Sequence, residues 1–194
     1  YESLSGTNVF WDFVELPSQI LENWAYEKEC LDLFAKHYET GEVIPSELIQ
    51  KIKDSATFHE GRATLRQISF CLLDMAWHSG DTGNVTDPEK FEKLAMEPAN
   101  LLPSVEGTMM STSFGHIFAG GYSSGYYSYK WAEVLDADAF EHFKENGIFN
   151  RDIATKFKDT ILSKGGTEHP MELYKKFRGA EPTPDALLKR GGLI

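Results

Sequence analysis

The stretch NVFWDFVELPSQILENW, residues 8–24, is the segment around which the chain is organised. Four polar side chains recur in it at spacings of three and four residues, and on a helix they share one face: Asp12, Glu15, Gln19 and Glu22. Four apolar side chains form a second face: Phe13, Leu16, Ile20 and Trp24. A row of carboxylates of this kind can be solvated, or it can face a site that takes negatively charged oxygen ligands. Taken alone, the row favours a solvated helix face.

The same stretch predicts a first helix from about Asp12 to His37. Asp12 is placed to cap this helix, with Glu15 at the third position as in a capping box. Pro17 then falls inside the helix, where it removes a hydrogen bond and kinks the axis. Gly41 lies beyond the expected end of the helix.

The composition limits the classes of protein to which the chain can belong. The 194 residues predict one domain, or two, and 41% hydrophobic content with 13% aromatic residues is enough for a packed core. The net charge of -11 argues against a nucleic-acid-binding surface, and no apolar run approaches the length needed to span a membrane. Cys30 and Cys71 lie in helix-like apolar patterns, which is typical of reduced core thiols in a cytoplasmic protein.

The rest of the chain predicts helices separated by breaks rich in glycine and proline. Apolar residues at helical spacing indicate a second helix opened by Pro45 with Ser46 as its N-cap, and further helices at 61–77, 88–96, 126–143, 151–162 and 170–177, with a last turn or two after residue 183. Alternating patterns of useful length are absent from the sequence, so the predicted fold class is all-α.

A second group of candidate functional residues lies in residues 114–131, FGHIFAGGYSSGYYSYKW, which we call the Gly-Tyr loop. Three glycines permit unusual backbone angles, and four tyrosines crowd into eight positions: Tyr122, Tyr126, Tyr127 and Tyr129. The tyrosines suit aromatic packing at a helix start, with Tyr127 pointing into the packing. They equally suit a mobile loop that presents hydroxyl donors to a developing negative charge. The loop is not a phosphate-binding loop, because no Lys-Ser or Lys-Thr follows its glycines.

The run LSGTNVFWDFVELPSQILENWA, residues 4–25, resembles the segment that follows the H-E-x-x-H helix in the thimet oligopeptidase, oligopeptidase A and peptidyl-dipeptidase family of zinc metallopeptidases. Residues 116–129 and 165–193 resemble later segments of the same family, and residues 61–78 share its character. The resemblance implies an all-α, multi-helix half of a zincin-like catalytic domain with the Gly-Tyr loop at its active site. Residues 1–194 would then be the C-terminal portion of a single catalytic domain.

The resemblance also implies a role for the carboxylates of the first stretch. Glu15 stands where the family has its third zinc ligand, and one zinc ion is the expected cofactor. Asp12 and Glu22 are candidates for orienting the histidines that complete the zinc site.

By the same resemblance, Tyr129 is the main oxyanion donor, while Tyr126 and His116 assist substrate and transition-state binding. The resemblance also implies that three residues of the loop contact the substrate: Tyr122, Gly120 and Gly121.

The H-E-x-x-H motif itself does not occur in this sequence. His59-Glu60 is followed by Gly61, Arg62 and Ala63, and no histidine has a histidine four residues away. The two histidine ligands and the general base are therefore expected upstream of the chain, which alone should be inactive.

The function implied for the parent protein is zinc-dependent hydrolysis of oligopeptides, as an endo-oligopeptidase or a peptidyl-dipeptidase. Its expected partners are short peptides and the upstream part of the same protein, without nucleic acid or membrane. The cytoplasm is the expected compartment, with the periplasm possible. The alternative is a non-catalytic helical interaction module that keeps the peptidase fold.

Overall fold

A computed structural model describes residue 4 and residues 6–194 of the chain. The α-helices within these residues are α1 Leu16–Glu22, α2 Lys28–Phe34, α3 Ser46–Thr57, α4 Glu60–Ser79, α5 Pro88–Met96, α6 Gly115–Phe118, α7 Ser128–Asn146, α8 Arg151–Phe157, α9 Pro170–Arg178 and α10 Asp185–Arg190. An isolated bridge joins Lys36 and Val43, and no β-strand is formed within the described residues. The all-α prediction is confirmed.

The prediction of one continuous helix from Asp12 to His37 is wrong. A 3₁₀-helix at Trp11–Phe13 precedes α1, a second one at Asn23–Tyr26 follows it, and α2 ends at Phe34. Pro17 lies in the first turn of α1 and not in a helix interior. This placement costs nothing, because backbone N–H groups in the first turn have no intrahelical acceptor.

The predicted capping roles at two helix starts are also wrong. Asp12 belongs to the 3₁₀-helix, and Glu15 is itself the N-cap of α1, so the two do not form a capping box. At α3 the N-cap is Pro45, and Ser46 is the first helical residue.

Most of the remaining boundaries agree with the sequence pattern. Helix α5 spans the predicted residues, and the Asp87 carboxylate accepts a hydrogen bond from the Lys90 N–H at 3.0 Å, which fixes its start. Helix α8 continues as a π-helix at Lys158–Leu162, which reaches the predicted end. Cys30 and Cys71 are half-buried free thiols in α2 and α4, as expected. None of the helices in the described part of the chain is both long and apolar enough to cross a membrane.

The chain divides into two compact units. The first contains the residues up to Phe58 together with Trp131–Ile194, and the second contains His59–Lys130. The core of the first unit consists of Phe13, Leu16, Ile20, Leu135, Ala139, Phe140, Phe143, Ile148, Phe157, Ile161, Leu173, Tyr174 and Phe177. The core of the second consists of Phe70, Leu73, Phe114 and Ile117. The apolar face predicted for residues 13–24 is therefore the face that packs into the first core.

Buried carboxylates join distant parts of the first unit. Asp136 on α7 accepts hydrogen bonds from Asn23 at 2.8 Å and from Arg190 of α10. Asp138, two residues further on, accepts a hydrogen bond of 2.6 Å from the hydroxyl of Tyr174 on α9. Burial raises the pKa of Tyr174 far above its usual value, and the bond to Asp138 adds to that shift.

Candidate functional site

Glu15 lies at the N-terminus of α1, where its side chain is half-buried. The Ser18 hydroxyl lies 3.0 Å from Glu15 Oε2 and 2.9 Å from the Glu15 main-chain oxygen, and these two acceptors share its single proton. The side chain is thus oriented by a neighbour one helical turn away.

The two other carboxylates of the first stretch lie in different settings. Asp12 is half-buried in the preceding 3₁₀-helix, and Glu22 is exposed at the last position of α1. The prediction that all the polar residues of the stretch share a single helix does not hold for Asp12.

The carboxylate of Glu15 is a side chain that could supply one ligand to a zinc ion. A carboxylate oxygen is an ordinary zinc ligand, and Glu15 offers one that a hydrogen bond already orients. Within residue 4 and residues 6–194, no group of three or more His, Cys, Asp or Glu side chains is close enough to hold a metal ion. A Glu15 oxygen has the chemistry of one zinc ligand, and the described residues contain no complete zinc site.

In the Gly-Tyr loop, the residues that follow α6 turn back and bind the backbone of α6. The Gly120 N–H donates to the carbonyl of Gly115 at 2.7 Å, and the Tyr122 N–H donates to the carbonyl of His116 at 3.0 Å. A Cβ atom at position 120 would lie 2.9 Å from His116 Cα, and Gly121 adopts φ of +85°. Both glycines are therefore needed for the path of the backbone, and their predicted contact with substrate stays a prediction.

The loop brings four of the predicted residues together. The His116 ring lies 5.9 Å from that of Tyr122, 6.2 Å from that of Tyr126 and 6.3 Å from that of Tyr129, measured between centroids. The Tyr122 and Tyr129 rings are stacked at 5.0 Å, and the Tyr126 and Tyr129 rings lie 5.2 Å apart. We call these four residues the ring cluster. Three phenols and an imidazole in one place can supply several hydrogen-bond donors to a single ligand.

The tyrosines differ in their surroundings. Tyr126 lies in the turn before α7, so the expectation that it begins the helix is wrong by two residues, whereas Tyr129 is the second residue of α7. Tyr126 packs against Phe70 and Phe114, and burial raises its pKa, with Tyr129 adding to the shift. A phenol with a raised pKa stays a donor over a wider pH range.

Tyr127 does not point into the packing, as the helical offset predicted, but is 45% exposed. The offset was counted as if residues 126–129 formed one helix, whereas α7 begins only at Ser128. The position of Tyr127 is therefore set by the turn that precedes the helix.

The sequence reasoning missed one residue that shapes the loop. Asp74 on α4 is 1% exposed, and its carboxylate accepts the backbone N–H groups of Ser124 and Tyr126, both at 2.9 Å. His78, one turn further along α4, places Nδ1 2.8 Å from the same carboxylate. The available signal was a charged residue inside the apolar run 70–77, where a solvated side chain is not expected.

Comparison with known proteins places the chain in a family. The sequence model described as Peptidase family M3 matches residues 1–193. The chain is 45% identical to "Oligopeptidase A" of Escherichia coli over 193 residues, 96% of the chain and 28% of that protein. It is 41% identical to "Organellar oligopeptidase A, chloroplastic/mitochondrial" of Arabidopsis thaliana over 195 residues, 96% of the chain and 24% of that protein.

A further relative carries a different name. The chain is 38% identical to "Dipeptidyl carboxypeptidase" of Escherichia coli over 195 residues, 100% of the chain and 29% of that protein. The chain thus spans between 24% and 29% of the length of these curated relatives. A family model that covers nearly every residue, together with relatives at these identities, confirms the resemblance seen in the sequence, and the chain belongs to peptidase family M3.

Proposed function

We propose that this chain is the C-terminal part of a longer zinc metallopeptidase that hydrolyses short peptides. The observation that carries the proposal is the ring cluster of His116, Tyr122, Tyr126 and Tyr129 in a chain of peptidase family M3. The relatives are named as oligopeptidases and as a dipeptidyl carboxypeptidase, which supports peptides as the substrate class. Residues 1–194 are proposed to belong to one catalytic domain whose H-E-x-x-H part lies upstream.

Glu15 is the residue that would hold the zinc ion from this chain, together with two upstream histidines. When bound, zinc supplies a Lewis acid and a more acidic water at the scissile bond. The Ser18 hydroxyl keeps the Glu15 carboxylate in one orientation. Asp12 and Glu22 are proposed to accept hydrogen bonds from the ligating histidines and so fix their rings.

The ring cluster is proposed to bind the substrate and its tetrahedral oxyanion. Tyr129 donates its hydroxyl to the oxyanion, and Tyr126 assists with a phenol whose pKa is raised by burial, so that it remains protonated. His116 and Tyr122 contact the substrate, and Gly120 with Gly121 lets the backbone approach it closely. Tyr126 and Tyr129 act as positioned hydroxyl donors in this proposal, and a hydrogen bond from either phenol requires no proton transfer.

The substrates proposed are short peptides, cut internally or from the C-terminus as dipeptides, since relatives of both names match the chain. The net charge of -11 does not favour nucleic acid as a partner, and a membrane has no part in the proposal. The cytoplasm is the proposed compartment, which is in keeping with two free thiols.

The test is Tyr129→Phe in the full-length protein, with Tyr127→Phe as the matched control. Removing an oxyanion donor lowers turnover by roughly a hundredfold to a thousandfold. We therefore expect Tyr129→Phe to lower kcat by that factor, with little change in KM or zinc content. Tyr127→Phe should leave all three near wild type, because Tyr127 is not one of the four residues of the ring cluster.

Equal and small effects of the two variants would contradict the oxyanion role. The tyrosines would then be packing residues of the loop, and the proposed oxyanion role would have failed.

A further inference from the structure

A buried carboxylate holds the middle of the Gly-Tyr loop against α4. Asp74 Oδ1 accepts the Ser124 N–H and Oδ2 accepts the Tyr126 N–H, each at 2.9 Å. His78 Nδ1 lies 2.8 Å from Oδ1, within hydrogen-bonding distance. The two loop amides belong to residues fifty and fifty-two positions away from Asp74 in the chain, so this contact fixes the loop to a distant element.

The geometry suits a carboxylate in particular. An ionised carboxylate only accepts hydrogen bonds, and the Ser124 and Tyr126 backbone N–H groups that contact Asp74 are donors. The side chain is 1% exposed, so these bonds replace its hydration, and losing them would leave backbone N–H groups buried and unsatisfied. Ser124 has φ of +56°, a backbone conformation that a non-glycine residue adopts only when its surroundings hold it there.

The hydrogen bonds of Asp74 to the loop are connected to the ring cluster through backbone hydrogen bonds. Tyr126, whose N–H is bound by Asp74, carries one of the four rings, and its carbonyl accepts the Tyr129 N–H at 3.3 Å. The Gly125 N–H donates to the Tyr122 carbonyl at 2.8 Å, which ties the third tyrosine to the same turn. A shift at residues 124–126 would therefore move all three phenols.

We infer that Asp74 is a positioning residue of the peptidase site, which holds the phenols of Tyr126 and Tyr129 where they meet the substrate. The inference rests on the proposed function. Asp74 touches the loop backbone and not the substrate, and it acts through the tyrosines. A misplacement of catalytic donors by about 1 Å can lower turnover by roughly a hundredfold, so the effect is large enough to measure.

The test is Asp74→Asn in the full-length protein. Asparagine has nearly the same shape, but it offers one acceptor oxygen and turns an NH₂ group toward a backbone N–H. We expect kcat to fall by roughly tenfold to a hundredfold, with a smaller change in KM and unchanged zinc content. Hydrogen exchange of the amides at residues 122–126 should become faster at the same time.

Glu92→Gln is the matched control. The Glu92 carboxylate also accepts two backbone N–H groups, those of Met110 at 2.8 Å and Ser111 at 2.6 Å, within the same unit but outside the Gly-Tyr loop. Exchange should become faster at residues 109–112 in this variant, and kcat should stay near wild type. Both variants change a carboxylate that binds two backbone N–H groups, so a fall in kcat that appears only in Asp74→Asn reports the position of the Gly-Tyr loop and not the general loss of such a contact.

The possible outcomes separate the inference from the proposed function. If the wild-type protein cleaves peptides and Asp74→Asn leaves kcat unchanged, or lowers it no more than Glu92→Gln does, the inference is overturned. Fast exchange of the Ser124 and Tyr126 amides in the wild-type protein overturns it as well, even if Asp74→Asn does not fold. If the wild-type protein cleaves no peptide, the proposed function fails, whatever the exchange rates show.

Discussion

Replacing Arg190 with alanine will destabilise the first unit, because Arg190 carries the charge that faces a buried carboxylate. The Asp136 side chain is 2% exposed, and Arg190 approaches it with both terminal nitrogens, Nη1 toward Oδ1 and Nη2 at 3.3 Å from Oδ2. Arg190 Nη1 also donates to the Asn23 side-chain oxygen at 2.7 Å. The three side chains join the 3₁₀-helix at residues 23–26, α7 and α10.

The size of the effect follows from the unequal burial of the two charges. Removing one partner of a fully buried ion pair costs about 3–5 kcal/mol, whereas an exposed pair contributes about 0–1 kcal/mol. Arg190 is 39% exposed, and Asn23 continues to donate to Asp136 at 2.8 Å in the variant. We therefore expect Arg190→Ala to lower the free energy of opening by about 2 kcal/mol, between those two limits.

The assay is native-state hydrogen exchange on the full-length protein, read from peptides that cover α7 and α10, because it reports the stability of one region. Lys144→Ala is the control, since Lys144 pairs with Glu141 on the surface, with side chains 45% and 42% exposed. The control should change the free energy of opening by no more than about 0.5 kcal/mol. An effect of Arg190→Ala that equals that of Lys144→Ala would refute the reasoning.

Three further outcomes are expected. Glu15→Ala in the full-length protein should lower zinc content together with activity, and full zinc occupancy with normal turnover would show that Glu15 is not a ligand. The chain alone should bind zinc weakly and hydrolyse no peptide, because its described residues offer no group of three ligands; turnover of a quenched oligopeptide that a chelator abolishes would contradict this. Gly120→Ala should lower kcat, since the new Cβ would lie 2.9 Å from His116 Cα, and a wild-type kcat would show that the loop tolerates the shift.

The helical fold was predictable because its signals are local. Apolar spacing and the Asp87-Pro88 pair are enough to place α5, whose capping bond spans three residues. The first helix was mispredicted because Pro17 is compatible with two structures, a kink inside a long helix or the first turn of a new one. The local sequence does not decide between the two, and in the structure Pro17 lies in the first turn of α1.

In the candidate site, residues close together in sequence could be recognised, whereas contacts between distant residues could not. Four tyrosines of the Gly-Tyr loop lie within eight positions and His116 is six residues before Tyr122, so the sequence places these side chains in one loop, whereas their individual roles were implied only by the family resemblance. The charge of Asp74 inside the apolar run 70–77 indicates a buried side chain, but it does not indicate the partner, because the Ser124 amide that Asp74 binds is fifty residues away in the chain. The hydrogen bond between Asn23 and Asp136 was not predicted either, because these residues are 113 positions apart in the chain.

A raised pKa does not by itself mark a tyrosine of the site, since burial raises it in both Tyr174 and Tyr126. The two differ in what surrounds the phenol. Tyr174 is completely buried in the core of the first unit, and its hydroxyl donates to Asp138, so its donor is committed to the fold. Tyr126 is half-buried, and its ring lies beside those of His116 and Tyr129. Burial raises the pKa of both phenols, but only Tyr126 belongs to the ring cluster, so the proposal for Tyr126 rests on the ring cluster and not on its pKa.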